Sequence, residues 1–127
     1  MKLQTLFRRI IILDILFFTI SFFYYFFFQS DLVENFNAKV MDEYPIYLSL
    51  IILFVFALYF ISLYLVYNFK KKGKFLYIFS LIIISTSFLS EPHAYDGIEI
   101  LLDYFTSLCD GAIIILMYFT NLSRNFK

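Results

Sequence analysis

Four long apolar runs, interrupted by three polar breaks, organise this chain. The first run, residues 10–28, is nineteen residues long with Asp14 as its only charge. As a helix it reaches across about 28 Å, close to a hydrocarbon core about 30 Å thick. Arg8 and Arg9 lead into it, but the run is too long for a signal peptide and F-F-F-Q-S has no small-x-small cleavage site, so a retained anchor is expected. The second run, 46–67, carries no charge, and Pro45 stands where a helix start tolerates proline. The third, 75–90, has only sixteen residues before Glu91-Pro92. It must stand upright, thin the bilayer, or draw its first turn from the preceding K-K-K-G-K. The fourth, 98–120, contains Glu99, Asp103 and Asp110. A central Asp costs about 3 kcal/mol on an insertion scale where each apolar residue returns about 0.3 to 0.6, so this run needs help from neighbouring helices.

The breaks 68–74 and 91–97 span seven residues each, short enough to join antiparallel neighbours. The pattern predicts one all-α integral membrane domain over 1–127, four helices packed up-down-up-down. The longer break, Gln29 to Pro45, sets Leu32, Val33, Phe36, Val40 and Met41 at a loose helical period between charges. That spacing predicts a short amphipathic helix at the outer interface.

Composition strengthens the membrane reading: 62% of the 127 residues are hydrophobic and 24% aromatic, more than a soluble core of this size can hide. Ten basic and ten acidic residues cancel, which gives no ground for nucleic-acid binding. Their placement is informative. Lys2, Arg8, Arg9, Lys70, Lys71, Lys72, Lys74, Arg124 and Lys127 fall on one side of the runs and Lys39 alone on the other. Positive-inside topology then puts both termini and the K-K-K-G-K loop in the cytoplasm, for a multi-pass protein of the inner membrane. The same four loop lysines, Lys70, Lys71, Lys72 and Lys74, are candidate lipid-headgroup contacts.

Candidate chemistry is sparse. Cys109 is the only cysteine, so no internal disulfide or cysteine-based zinc cluster forms, and His93 is a lone histidine in a turn. The sequence contains no G-x-S-x-G, H-E-x-x-H, phosphate-binding glycine loop or C-x-x-C, so no catalytic residue, metal or cofactor is assigned. What stands out is the carboxylates. At 100° per residue Asp96, Glu99, Asp103, Thr106, Ser107 and Asp110 fall within about 100° of one another, with Leu101, Phe105, Leu108 and Ala112 opposite. With every span centred in the bilayer, Asp110 lies about 1.5 Å from the midplane, Asp103 about 9 Å outward and Asp14 about 7 Å inward. No Lys or Arg lies in an apolar run to neutralise them.

Three roles fit such a stripe: proton or cation traffic, hydrogen bonding between helices together with Thr19, Ser85, Thr86 and Ser107, or recognition of a partner. Four short helices leave little mass outside the membrane. The expected function is therefore a non-catalytic subunit or interaction partner in a membrane assembly, with lipid and either a second copy or another membrane protein as partners. The alternative is a small oligomeric proton- or cation-coupled carrier.

Overall fold

The computed structural model describes residues 2–28, 30–41, 46–89 and 94–127, and within them every regular element is helical. These are α1 (Leu3–Phe27), α2 (Asp31–Met41), α3 (Ile46–Tyr67), α4 (Lys71–Leu89), α5 (Gly97–Phe119) and a 3-10 segment, Asn121–Asn125. Asp42, Glu43, Pro45, Glu91 and His93 lie outside the described residues.

Two helix starts differ from the hydropathy boundaries. The first helix begins at Leu3 rather than Ile10, because Leu3 to Arg9 holds no glycine or proline and the N–H groups of Thr5 and Leu6 close onto the Lys2 carbonyl at 2.9 and 3.2 Å. The fourth begins at Lys71 rather than Phe75, so it draws its first turn from the basic loop and reaches nineteen residues. In both cases charged residues continue the helix beyond the apolar run.

By its contacts the chain divides into two compact units, Met1–Glu34 with Tyr95–Phe126, and Asn35–Ala94 with Lys127. In the first, α1 and α5 are antiparallel. Phe17 stacks on Phe105 with centroids 5.2 Å apart, Ser21 bonds Asp103, and Ser30 bonds Asp96, so residue numbers fall along one helix as they rise along the other. Phe7, Ile11 and Asp14 on α1 are buried, as are Ile113 and Met117 on α5 and Leu122 beyond it. Phe126 meets the Phe7 ring edge-on at 6.1 Å. Thr120 ends α5 in an extended conformation and its Oγ1 accepts from the Leu122 N–H at 3.2 Å, starting the 3-10 segment.

The second unit is built on the α3–α4 hairpin. Val55, Tyr59, Ser62, Leu63 and Val66 are buried on α3, and Gly73, Tyr77 and Ser80 on α4, each set at helical spacing. Tyr59 stacks on Tyr77 at 6.0 Å. Ser62 and Ser80 return their hydroxyls to carbonyls of their own helix, at 2.7 and 2.9 Å, and so act in the contact as small side chains that let the helices approach. The turn is a Schellman motif: Lys70 N–H donates to Leu65 O at 2.9 Å and Phe69 N–H to Val66 O at 3.0 Å. Phe69 occupies the left-handed position at φ 55°, where glycine is usual. Asn37 of α2 is also buried. Its amide bonds both the N–H and the carbonyl of Ala94, each at 3.1 Å. Among the described side chains of α2 the polar Asn37 is the buried one, while Leu32 and Phe36 are exposed.

Candidate functional site

The carboxylates of α5 separate into two groups along the α1–α5 hairpin. At the start of α5, Asp96 is the N-cap in an extended conformation. Both of its oxygens take a bond from Ser30, Oδ2 from the N–H and Oδ1 from the hydroxyl, each at 2.9 Å. Glu99 is buried, and its Oε2 accepts from the Asp96 N–H at 2.8 Å, the reach-back bond of a capping box. Glu99 is therefore engaged in closing the helix's first turn. Asp103, one turn further on, is exposed and takes a 3.3 Å bond from the Ser21 hydroxyl. Tyr95 sits by this cluster; burial, then the charges of Asp103 and Glu99 and the neighbouring Tyr25, push its phenol above the ordinary tyrosine value.

The second group lies at mid-helix. Asp14 is fully buried, and its Oδ1 has no described hydrogen-bond donor within reach. Cys109, next to Asp110 on α5, is half-buried. With Phe17 beside Phe105 and Ser21 beside Asp103, Asp14 falls opposite residues 108–110. With α1 beginning at Leu3, Asp14 lies one residue from the centre of the 25-residue helix, on the same hairpin as Asp110. Two carboxyls close together can share a proton or bind a common cation, whereas two ionised groups would repel.

Of the polar stripe, Glu99 is buried, Thr106 and Asp110 are half-buried, and Asp103 and Ser107 are exposed. Opposite them Leu101 and Leu108 are exposed and Ala112 is half-buried, while Phe105 reaches across to Phe17. The contact face of α5 runs through Glu99, Thr106, Asp110, Ile113 and Met117, rotated away from Ser107. Three threonines of the apolar runs bond within their own helices. Thr19, Thr86 and Thr106 donate to carbonyls of their own helices, the nearest acceptors available to a threonine in mid-helix. Ser21 makes the interhelical bond instead.

Lys70, Lys71 and Lys72 are exposed at the α3–α4 turn and Lys74 is half-buried. Among the described residues no group of three His, Cys, Asp or Glu side chains is placed to hold a metal ion.

Among them, too, one helix, Gly97–Phe119, is long and apolar enough to cross a membrane, and a shorter apolar stretch, Leu53–Tyr67, lies within α3. The chain matches no family model, no curated protein and no solved structure.

Proposed function

We propose that this chain is a non-catalytic integral subunit of the inner membrane, crossing four times with α1, α3, α4 and α5, both ends cytoplasmic and α2 at the outer interface. Its work is to hold a partner, a second copy or another membrane protein, within the bilayer. Support for the membrane setting comes from the outward surfaces. Leu53, Phe54, Phe75 and Leu108 are each about two-thirds exposed or more, and lipid covers such surface at no hydrophobic cost. Only 11% of the apolar window of α5 is buried, unlike the core helix of a soluble protein. At 1.5 Å per residue α1, α3 and α4 are about 38, 33 and 29 Å long, sufficient for the same thickness.

One observation carries the partner role: Asp103 and Ser107 are exposed on α5, the helix with the composition of a span. An exposed carboxylate within the bilayer requires protein or water beside it. A partner helix contacting Asp103 and Ser107 supplies that cover. Replacing both by leucine should leave helix content and membrane extraction unchanged while the partner no longer co-purifies in mild detergent. Retention of the same complex by the double variant would refute the assignment. Reporter fusions after Lys72 and at Lys127 should register cytoplasmic and one at Asn37 external, and a cytoplasmic signal at Asn37 would overturn the four crossings.

The rival reading, a proton- or cation-coupled carrier, draws on Asp14 and Asp110, a buried and a half-buried carboxyl on the two helices of the α1–α5 hairpin. It requires flux through vesicles containing this chain alone, abolished by Asp110→Asn. Absence of flux from the wild type counts against it.

A further inference from the structure

We propose that Lys70, Lys71, Lys72 and Lys127 form a headgroup site for an anionic phospholipid, whose acyl chain lies along Phe75, Phe79 and Ile82 of α4. The site deepens the membrane reading and rests on it. Its first element is a charge cluster that the linear sequence divides. Lys127 lies more than fifty residues from the loop lysines, yet its carbonyl accepts from the Lys71 N–H at 2.9 Å and its own N–H donates to Phe69 O at 3.0 Å. Those two main-chain bonds bring a fifth lysine to the turn containing Lys70, Lys71, Lys72 and Lys74. All but Lys74 are exposed.

The second element is rigidity. The Schellman bonds of Lys70 and Phe69 set the turn, and Gly73 seats the first turn of α4 against Leu65 and Val66 of α3. The lysines therefore project from a fixed corner, which lowers the ordering cost of collecting several charges on one anion.

The third element separates a lipid from a free anion. Lys71, Phe75 and Phe79 are spaced i, i+4 and i+8 and are all exposed, with Ile82 continuing the same side of the helix. The Phe75 and Phe79 rings stack at 6.1 Å with planes 12° apart. Cationic groups at the top of a lipid-facing aromatic column match a phosphate headgroup with an acyl chain beneath it. Inorganic phosphate would use the lysines and ignore the column.

The test uses the full chain reconstituted into vesicles of neutral phosphatidylcholine, with and without phosphatidylglycerol, followed by detergent extraction and mass spectrometry of the retained lipid. Wild type should retain phosphatidylglycerol over phosphatidylcholine. Lys→Gln at positions 70, 71, 72 and 127 should weaken that preference by about fivefold per lysine removed, and K127Q alone should account for one such step. Lys→Arg at the same four positions should keep it, a control for folding. F75A/F79A should reduce retention of the lipid, and millimolar inorganic phosphate should not displace it. Equal retention of both lipids by wild type, a preference unaltered in the glutamine variant, or displacement by inorganic phosphate overturns the site. Flotation of the protein with pure phosphatidylcholine vesicles distinguishes the failures. Flotation without preference defeats only this inference, while failure to float after reconstitution defeats it and the membrane reading together.

Discussion

A methyl group added at Gly73 should loosen the α3–α4 hairpin, and Gly111 supplies the matching control. A Cβ at Gly73 would lie 2.8 Å from Leu65 Cβ, 2.9 Å from Leu65 C and 2.9 Å from Val66 N, whereas at Gly111 nothing lies within 4 Å. Both glycines are helical, so Gly→Ala gains about 1 kcal/mol of helix propensity at each, and this term cancels in the comparison. The difference is the clash. Two of the three obstructing atoms are backbone, so relief requires the first turn of α4 to move off α3 by roughly 0.6 Å to restore ordinary carbon contacts. A gap of that size forfeits a quarter to a half of each contact, and about twenty atom pairs worth 0.1 to 0.2 kcal/mol each give a loss of roughly 0.5 to 2 kcal/mol. Measured overpacking costs of about 1 to 3 kcal/mol agree. Gly73→Ala should therefore be less stable than Gly111→Ala by about 2 kcal/mol, close to a thirtyfold shift in the unfolding equilibrium. Reversible unfolding in mixed SDS micelles, followed by far-UV circular dichroism, measures it. Equal stability of the two variants, or greater stability of Gly73→Ala, would refute the close approach of α4 to α3.

Three further outcomes follow from individual side chains. Asp96→Ala removes the N-cap of α5 and both bonds to Ser30 and should cost about 1 to 3 kcal/mol, whereas Glu99→Gln keeps an acceptor for the Asp96 N–H and should cost less than about 1; the same unfolding assay decides, and equal losses would contradict the capping arrangement. Asn37→Ala leaves the N–H and carbonyl of Ala94 without their side-chain partner and should cost about 1 to 3 kcal/mol, while Asn37→Asp retains the bond from the Ala94 N–H and loses the other; faster amide exchange at Ala94 in the alanine variant but not in the aspartate variant is the check, and unchanged exchange in the alanine variant would oppose it. Tyr95 has its phenol pKa raised in the folded chain, so its stabilising contribution is complete below the ordinary tyrosine value of 10.0 and is lost as pH rises through the higher folded value; Tyr95→Phe should flatten the alkaline fall in stability, and an identical alkaline limb would argue against that environment.

The helical segments were legible because the apolar runs are long and the breaks short; the limits of each helix were less so. Hydropathy stops at Arg8-Arg9 and at the K-K-K-G-K run, but arginine and lysine are good helix formers whose long stems lie along an apolar helix while the charges reach outward. Both helices consequently extend through their basic flanks, and in α1 the extension puts Asp14 near the middle of the helix. The α5 start carried a readable signal, Asp96-Gly-Ile-Glu99, with the spacing of a capping box. Glu99 belongs both to that capping box and to the polar stripe, and the stripe's periodicity alone does not distinguish the two roles. A helical wheel likewise grouped Ser107 with Asp110 because both are polar, while the real contact face depends on which turn of α1 lies alongside. Nothing in a single helix's periodicity contains that information. The Asn37 and Lys127 contacts are between residues distant in sequence and could not be found by local pattern at all.

The division of the carboxylates has a consequence for what each can contribute. Asp96 and Glu99 receive bonds from main-chain or hydroxyl donors at the start of α5, so their charge helps complete a helix terminus that would otherwise present open N–H groups. Replacing either should register first as lost stability. Asp103 is different: its single 3.3 Å bond from Ser21 leaves much of an exposed carboxylate to be solvated or covered. Asp14 and Asp110 are different again: Asp14 is fully buried on α1 and Asp110 half-buried on α5, in the same hairpin. Carboxyls in such a place belong with protein or water beside them, as helix contacts or as proton or cation sites. Transport would need in addition a route by which the proton or cation leaves, and the subunit reading does not. Flux therefore separates the two readings, while a double-mutant cycle of Asp14→Asn and Asp110→Asn tests only whether the carboxyls interact: non-additive losses of stability are expected if they do, and additive losses would show that they do not.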